Sequence, residues 1–296
     1  MVSIAKEELL PLTLKAKLNG GVVFGTCIIS TSPHFLRPTQ ASGVDFVFLD
    51  TEHISIEREK LSWLCQSYGA LGMTPIVRVP EPDPYKVCCA LDGGAVGIVA
   101  PYIETVAEVK ALIGAVKLRP FKGDKLEKIL QALNPSQGPE SLYETVKSIH
   151  GQAVADFMKQ KNGNTLLFIN IESQKAIDNM DDLVGLPGVD GVFIGPADLS
   201  VQLGVPRQWE NPLLLDTIAS IIERTRSLKK HIGCHWGFVN AKKNQVKWVL
   251  EHGADIVIHA SDLVLYANAL SADMQTIRDG ISGNESGATS IDASTC

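Results

Sequence analysis

Eight short apolar runs recur along the chain, and most of them are separated by segments with helical periodicity. Nearly continuous runs of Val, Ile, Leu and Phe are typical of parallel strands that are buried on both faces. The predicted strands fall at residues 22–28, 44–49, 75–79, 96–100, 166–171, 189–194, 231–235 and 255–259. Outside the connection between the fifth and sixth strands, helices are predicted at 5–18, 56–69, 84–93, 105–118, 212–228, 241–252 and 262–279.

The number of strands favours one of two architectures. A doubly wound sheet would show the same alternation, but eight strands in a chain of 296 residues match a (β/α)8 barrel. No GxGxxG sequence follows the first strand, which disfavours a dinucleotide-binding fold. We therefore predict an α/β protein, a single (β/α)8 TIM barrel over residues 1–279 with an extra helix at its N-terminus.

Two segments depart from the repeating pattern. Residues 119–165 separate the fourth helix from the fifth strand and have a charged, moderately helical composition. So long a connection predicts a helical insertion that serves as a lid, an interface element or an added layer. Residues 280–296 are small and polar, which predicts a disordered tail.

Composition narrows the possible partners and the compartment. A net charge of −6 argues against nucleic acid or an anionic membrane as a partner. No apolar run reaches the roughly 18 residues that cross a bilayer. The N-terminus shows no signal-peptide core, and the six cysteines include no C-x-x-C pair. Free thiols in a reducing compartment are therefore expected, and we predict a cytoplasmic protein.

Two acidic residues follow neighbouring predicted strands, Glu172 after the fifth and Asp198 after the sixth. Adjacent parallel strands lie roughly 4.8 Å apart, so the two carboxylates are close enough to share a cation. A pair of carboxylates with open positions suits Mg²⁺, or else Mn²⁺ or Co²⁺. The alternative is that both are acids at helix N-termini, where the helix dipole favours them.

Further polar residues stand at the strand ends, where the active sites of such barrels are built. Arg78 either binds a carboxylate or enolate oxygen, or pairs with a buried acid of the barrel. His53 is either a general base or a solvated loop residue. Trp236, after the seventh strand, either lines a pocket or packs in a core or interface. The predicted strands contain no lysine, which disfavours Schiff-base chemistry.

Several of these residues lie in four strings, FVFLDTEHISIERE, PIVRVPEPDPYKVCCALDGGAVGIVAPYIET, INIESQKAI and PGVDGVFIGPADLSVQLG. Together the strings resemble the HpcH/HpaI aldolase family, which includes citrate lyase β-subunit types and macrophomate synthase-like enzymes. The resemblance implies a metal-dependent (β/α)8 barrel that assembles as a homo-oligomer, a hexamer built as a trimer of dimers. Dimers of this family swap C-terminal helices, and residues 262–279 would be that helix here.

The resemblance also implies a role for each matching residue. Glu172 and Asp198 become the metal ligands, and Arg78 holds the oxygen of a 2-oxo acid. His53 becomes the acid/base, positioned by Asp50 and by Asp92 of a neighbouring subunit. The other expected substrate contacts are the backbone at Gly195 and Ala197, Asn170 where the aldolases commonly have Gln, and Trp236.

These roles predict a divalent-metal-dependent carbon–carbon lyase that forms a pyruvate enolate from a 2-oxo acid. The reaction would be retro-aldol cleavage of a 4-hydroxy-2-oxo acid, decarboxylation of oxaloacetate, or both. The segment from residue 119 looks closer to the macrophomate synthase-like branch, whose enzymes couple the enolate to a second substrate. The remaining alternatives are a citrate-lyase-like enzyme acting on a CoA thioester, although no basic stripe for the nucleotide is evident, and a non-catalytic barrel.

Overall fold

Eight parallel strands form a closed barrel, in a computed structural model that describes residues 13–138, 141–235 and 243–282. Each strand pairs with the next along the chain, and the eighth closes on the first. The predicted (β/α)8 fold is confirmed. The strands are β1 (Val23–Ile28), β2 (Phe46–Asp50), β3 (Thr74–Arg78), β4 (Gly97–Ala100), β5 (Leu166–Ile171), β6 (Gly191–Ile194), β7 (His231–His235) and β8 (Ile256–Ser261).

Helices surround the barrel and also form the insertion between β4 and β5. The helices are α1 (Leu14–Gly20), α2 (Leu36–Ala41), α3 (Arg58–Ala70), α4 (Pro84–Asp92), α5 (Val106–Lys117), α6 (Gly123–Ala132), α7 (Ser141–His150), α8 (Gln152–Asn162), α9 (Gln174–Asp178), α10 (Met180–Val184), α11 (Pro196–Gln202), α12 (Pro212–Ser227), α13 (Lys243–Glu251) and α14 (Asp262–Ser282). Helices α6 to α8 form the insertion. The last helix continues three residues past its predicted end, and the rest of the predicted tail lies outside the described residues.

Aromatic side chains fill the interior of the barrel. Phe48, Phe168 and Phe193 are fully buried there, and the rings of Phe168 and Phe193 meet edge to face with centroids 5.0 Å apart. Helix α1 closes the N-terminal end of the barrel, because Leu14 and Leu18 belong to the same buried cluster. A second apolar layer lies between the strands and the surrounding helices. With its lower end closed, the barrel has its polar mouth at the C-terminal ends of the strands.

A Gly-x-Asp sequence precedes β2, β6 and β8, at residues 43–45, 188–190 and 253–255. The glycines have φ angles of 77°, 103° and 103°, a left-handed conformation that favours glycine. Each aspartate carboxylate then accepts a hydrogen bond from a backbone N–H of the preceding strand, which ties the two strands together at their N-terminal ends. The donors are Phe24 at 2.9 Å, Leu167 at 2.8 Å and Ile232 at 2.8 Å.

The outer surface of the barrel at β1 and β8 is less covered than the rest. Phe24 on β1 is 48% exposed, and His259 on β8 is exposed as well. Helix α14 packs chiefly on these two strands within the described residues and presents an apolar stripe to solvent. The exposed members of that stripe are Tyr266, Leu270, Met274, Ile277 and Ile281. No helix in the described part of the chain is long and apolar enough to span a membrane.

We expect two of the three Gly-x-Asp aspartates, Asp190 and Asp45, to differ in their contribution to stability. Asp190 pairs with Lys117, whose side chain is almost fully buried and whose pKa burial lowers. Replacing Asp190 with Asn removes the anion and leaves a buried cation, which should cost about 3–5 kcal/mol of unfolding free energy. Asp45 pairs with the partly exposed Lys17, and Asp45→Asn should cost about 1 kcal/mol.

Urea unfolding of the two variants at neutral pH measures this difference. The double variant Asp190→Asn/Lys117→Met, which removes the buried cation too, should recover most of the loss. Equal losses for Asp45→Asn and Asp190→Asn, or no recovery in the double variant, would contradict this account.

Candidate active site

The interior rows of three strands change from apolar to polar at the C-terminal end of the barrel. Because side chains alternate along a strand, residues two apart share a face. The row on β2 passes from Phe48 to Asp50, and the row on β3 ends at Arg78. The row on β5 passes to Asn170 and continues to Glu172 just after the strand. The same buried rows that fill the core therefore deliver four polar side chains to one mouth.

Asp50 and Arg78 form a buried, two-pronged ion pair. Arg78 Nε lies 2.9 Å from Asp50 Oδ1, and Arg78 Nη2 lies 2.6 Å from Oδ2. Their exposed fractions are 0% and 3%. Burial works against the charge of Arg78, but Asp50 outweighs it and the pKa of the guanidinium is raised. The ion-pair interpretation of Arg78 is thus realised, and its remaining Nη hydrogens can still donate to a substrate oxygen.

Glu52 connects several groups at the mouth. Its Oε2 lies 3.1 Å from Arg78 Nη1, and its Oε1 lies 3.6 Å from Nε2 of the half-exposed His53. A hydrogen bond from the Tyr102 hydroxyl to Glu52 is the main reason that the pKa of Tyr102 is raised to about 12. Tyr102 therefore stays protonated and acts as a donor. Glu52 links the arginine, the histidine and the tyrosine through one carboxylate.

Glu172 is a buried carboxylate with two hydrogen bonds. Its Oε1 accepts from the backbone N–H of Tyr102 at 3.3 Å, and its Oε2 accepts from Asn170 Nδ2 at 3.0 Å. Burial raises the pKa of Glu172 to about 7; the bond from Tyr102 opposes this, and the charge of Asp198 adds to it. The Oδ1 atom of Asn170 is buried without a hydrogen-bond partner. The site thus contains an unneutralised acid beside an unused amide oxygen.

Gly195 and α11 bring the second acid to the mouth. A Cβ at Gly195 would lie 2.6 Å from Glu172 Oε2, so a larger residue would displace that carboxylate. Pro196 starts α11, and the exposed Ala197 and Asp198 stand in its first turn. Asp198 is therefore an acid at a helix N-terminus and, through its charge, also a neighbour of Glu172.

These residues fit a divalent cation. Glu172, Asp198 and Asn170 supply hard oxygen atoms, and the exposure of Asp198 leaves room for water and substrate oxygens. Within the described ranges, no group of three or more His, Cys, Asp or Glu side chains is placed to bind one ion. The oxygen donors of Glu172, Asp198 and Asn170 suit Mg²⁺ or Mn²⁺ better than zinc, which prefers nitrogen and sulfur ligands.

One predicted site residue, Asp92, does not lie at this mouth. Asp92 ends α4, which runs from the mouth back to the opposite end of the barrel, and it pairs there with Arg119 at 2.8 Å. Its role at the site of a neighbouring subunit stays a prediction. Trp236 lies outside the described residues.

Tyr102 and the linking role of Glu52 were not predicted from the sequence. Tyr102 follows β4, and its φ of 55° is unusual for a residue with a side chain. Such a conformation costs about 1–3 kcal/mol and persists where the surroundings enforce it. The available signal was position, because Tyr102 follows a barrel strand just as Glu172 does.

Comparisons with known proteins identify relatives of this chain and solved structures with the same fold. A 2-keto-3-deoxy-L-rhamnonate aldolase of Escherichia coli K12 is 27% identical over 279 residues, which cover 94% of this chain and 97% of that protein. An HpcH/HpaI aldolase from Desulfitobacterium hafniense has the same fold, with a TM-score of 0.74, 23% identity and coverage of 90% and 97% of the two chains. Macrophomate synthase also shares the fold, with a TM-score of 0.70, 20% identity and coverage of 93% and 92%.

The family model that matches describes HpcH/HpaI aldolases and citrate lyases, and it covers residues 24–269. That span contains the whole barrel except Val23, the first residue of β1, and it contains every described residue of the mouth. The chain belongs to the HpcH/HpaI aldolase/citrate lyase family, whose aldolases are carbon–carbon lyases.

Proposed function

We propose that this protein is a divalent-metal-dependent lyase that forms a pyruvate enolate from a 2-oxo acid. Its reaction is retro-aldol cleavage of a 4-hydroxy-2-oxo acid, decarboxylation of oxaloacetate, or both. The observation that carries the proposal is the buried, fixed guanidinium of Arg78 at the same mouth as the acids Glu172 and Asp198. The aldolase of Escherichia coli supports the substrate class, because its name describes a 2-oxo acid that lacks a hydroxyl at C3.

The residues of the mouth divide the work of binding. A divalent cation held by Glu172 and Asp198 would act as a Lewis acid toward the oxygens of the 2-oxo acid. Arg78 donates from Nη to the C2 oxygen and stabilises the charge that develops there. Asp50 keeps the guanidinium in one orientation. The backbone at Gly195 and Ala197 faces the substrate carboxylate.

His53 handles the proton in the aldol reaction. It takes the proton of the C4 hydroxyl, the C3–C4 bond breaks, and the electron pair of that bond becomes the enolate. The aldehyde leaves, and C3 of the enolate is protonated to give pyruvate. Glu52, 3.6 Å from His53 Nε2, stabilises the protonated ring. With oxaloacetate, the C3–C4 bond breaks as CO₂ leaves, and no base is needed at C4.

We expect His53→Ala to separate the two reactions. Aldol cleavage should fall at least about 100-fold, since a general base contributes roughly 10²–10⁴ in rate, whereas decarboxylation should change little. Arg78→Lys should lower both reactions, because a lysine cannot reproduce the fork on Asp50. Pyruvate release from each substrate with Mg²⁺ measures the effect, and His252→Ala, an exposed histidine beyond α13, is the control.

The outcomes discriminate among the possible enzymes. Full aldol cleavage in His53→Ala would refute the role of His53, and full activity after exhaustive chelation would refute the metal. Cleavage of a CoA thioester without pyruvate release from either 2-oxo acid would favour a citrate-lyase-like enzyme. Coupling of the enolate to an added acceptor would favour a macrophomate synthase-like reaction.

Glu172 should make the metal-free protein sensitive to pH. Its pKa of about 7 lies above the ordinary value of 4.5, so the folded state binds the proton more tightly than the unfolded state. Stability therefore falls as the pH rises through this window, while affinity for a cation rises because the ligand form is the carboxylate. Both trends should be flat in Glu172→Gln.

Two measurements test these trends, each made at about pH 5.5, 6.5 and 7.5. Thermal unfolding of EDTA-treated protein gives the stability, and calorimetric titration with Mn²⁺ gives the affinity for the cation. Glu223→Gln on the exposed side of α12 serves as the matched control. A Glu172→Gln protein that keeps the wild-type pH slope would show that another group is responsible.

We also propose that the working form is a homo-oligomer in which α14 packs on a second copy of the chain. Two exposed apolar surfaces support this proposal, the stripe on α14 and the thinly covered surface at β1 and β8. Contact with a second copy would remove both surfaces from water. A hexamer built from such dimers is the assembly that the family resemblance implies.

Substitutions on α14 test the assembly. Leu270→Glu/Ile277→Glu places charges on the stripe and should dissociate the dimer, whereas Ala272→Glu on the opposite side of the helix should not. Size-exclusion chromatography with light scattering gives the mass of each variant. A monomeric wild-type protein, or a doubly substituted protein with unchanged mass, would contradict the proposal.

A further inference from the structure

Tyr102 has anchors on two sides of the mouth, and the mechanism above gives it no step. It follows β4, and its backbone N–H donates to Glu172 Oε1 at 3.3 Å, beyond the end of β5. Its hydroxyl donates to Glu52, beyond the end of β2. A single residue therefore connects the β5 side of the mouth with the β2 side.

The Glu52 partner of Tyr102 lies two strands away from it, on the far side of β3. Strand β3 lies between β2 and β4 and ends at Arg78, whose Nη1 is 3.1 Å from Glu52. Two strand spacings are roughly 10 Å, a gap that an extended tyrosine and glutamate can bridge together. The phenol, held between Glu52 and the backbone bond to Glu172, therefore bounds the mouth on this side.

Burial does not explain why Tyr102 adopts this position. The residue is 59% exposed, and its φ of 55° is a conformation that side-chain-bearing residues seldom take. The two polar anchors are what fix it. A strained and exposed aromatic residue that bridges functional groups is a feature expected of a binding site rather than of a core.

We propose that Tyr102 determines specificity by limiting the size of the substituent that a 4-hydroxy-2-oxo acid carries at C4. This inference rests on the proposed function. With the C2 oxygen on Arg78 and the C4 hydroxyl toward His53, the rest of the substrate leaves through the mouth that the ring bounds. A methyl group or a carboxylate fits beside the ring. A chain of several carbons has to displace the ring and break its bond to Glu52.

Tyr102→Gly is the informative variant, because glycine accepts a φ of 55° and keeps the backbone N–H that Glu172 uses. Two substrates are compared, 4-hydroxy-2-oxopentanoate with a methyl group at C4 and 4-hydroxy-2-oxooctanoate with a butyl group. For each variant, kcat/KM is measured on both substrates and the ratio of long to short substrate is taken. A general loss of activity lowers both values and leaves this ratio unchanged, and kcat/KM on oxaloacetate reports that general loss separately.

We expect the ratio of long to short substrate to rise at least about tenfold in Tyr102→Gly, a range that pocket size alone can produce. Tyr102→Phe retains the ring and should shift the ratio far less. Tyr85→Ala, which removes an exposed tyrosine from α4, is the control and should leave the ratio unchanged. Thermal unfolding confirms that each variant is folded.

The outcomes distinguish a failure of the role given to Tyr102 from a failure of the proposed lyase function. An unchanged ratio in Tyr102→Gly, with a wild-type protein that cleaves both substrates, overturns the role of Tyr102 and leaves the lyase in place. An equal rise in Tyr102→Phe also overturns it, because the ring bulk would then not be the cause. A wild-type protein that releases pyruvate from none of the three substrates overturns the proposed function itself.

Discussion

The buried pair of Asp50 and Arg78 is the constraint on which the mouth of the barrel depends. The carboxylate of Asp50 and the guanidinium of Arg78 are both buried where the aromatic rows of the core end. The guanidinium lies over the ring of Phe48, 5.7 Å from its centroid. The loss of hydration is offset because the pairing is two-pronged and the charge of Glu52 lies 3.1 Å from a third nitrogen of Arg78. Once Arg78 is fixed in this way, Glu52 is fixed too, and His53 and Tyr102 take their positions from Glu52.

Charge balance explains why this mouth suits an anionic substrate together with a cation. Asp50 and Glu52 neutralise Arg78 between them, so little positive charge remains for Glu172 and Asp198. Burial is the main cause of the raised pKa of Glu172, and the nearby charge of Asp198 raises it further. A divalent cation would balance the charges of Glu172 and Asp198 and would offer open coordination positions to a carboxylate and a ketone oxygen. The side chains of the mouth therefore carry an excess of negative charge, which a divalent cation would reduce.

The fold and much of the site could be predicted because both depend on periodicity. Apolar runs mark buried strands, and polar residues at or shortly beyond the ends of these runs lie at the mouth, which is how Arg78, Glu172 and Asp198 were found. The link through Glu52 and Tyr102 could not be predicted, because loop dihedral angles follow no period and the direction of a loop side chain depends on partners distant in sequence. The alternatives for Arg78 were also not exclusive, since an arginine in a buried ion pair can still present hydrogens to a substrate.

The Gly-x-Asp sequences lie at the other end of the barrel, and this separation has an evolutionary consequence. A strand of six residues is roughly 20 Å long, well beyond the distance at which substitutions influence one another energetically. The hydrogen bonds of Asp45, Asp190 and Asp255 can therefore become stronger or weaker through substitution without altering the chemistry at Arg78. Natural selection can change the substrate at one end of this barrel while the opposite end preserves the fold.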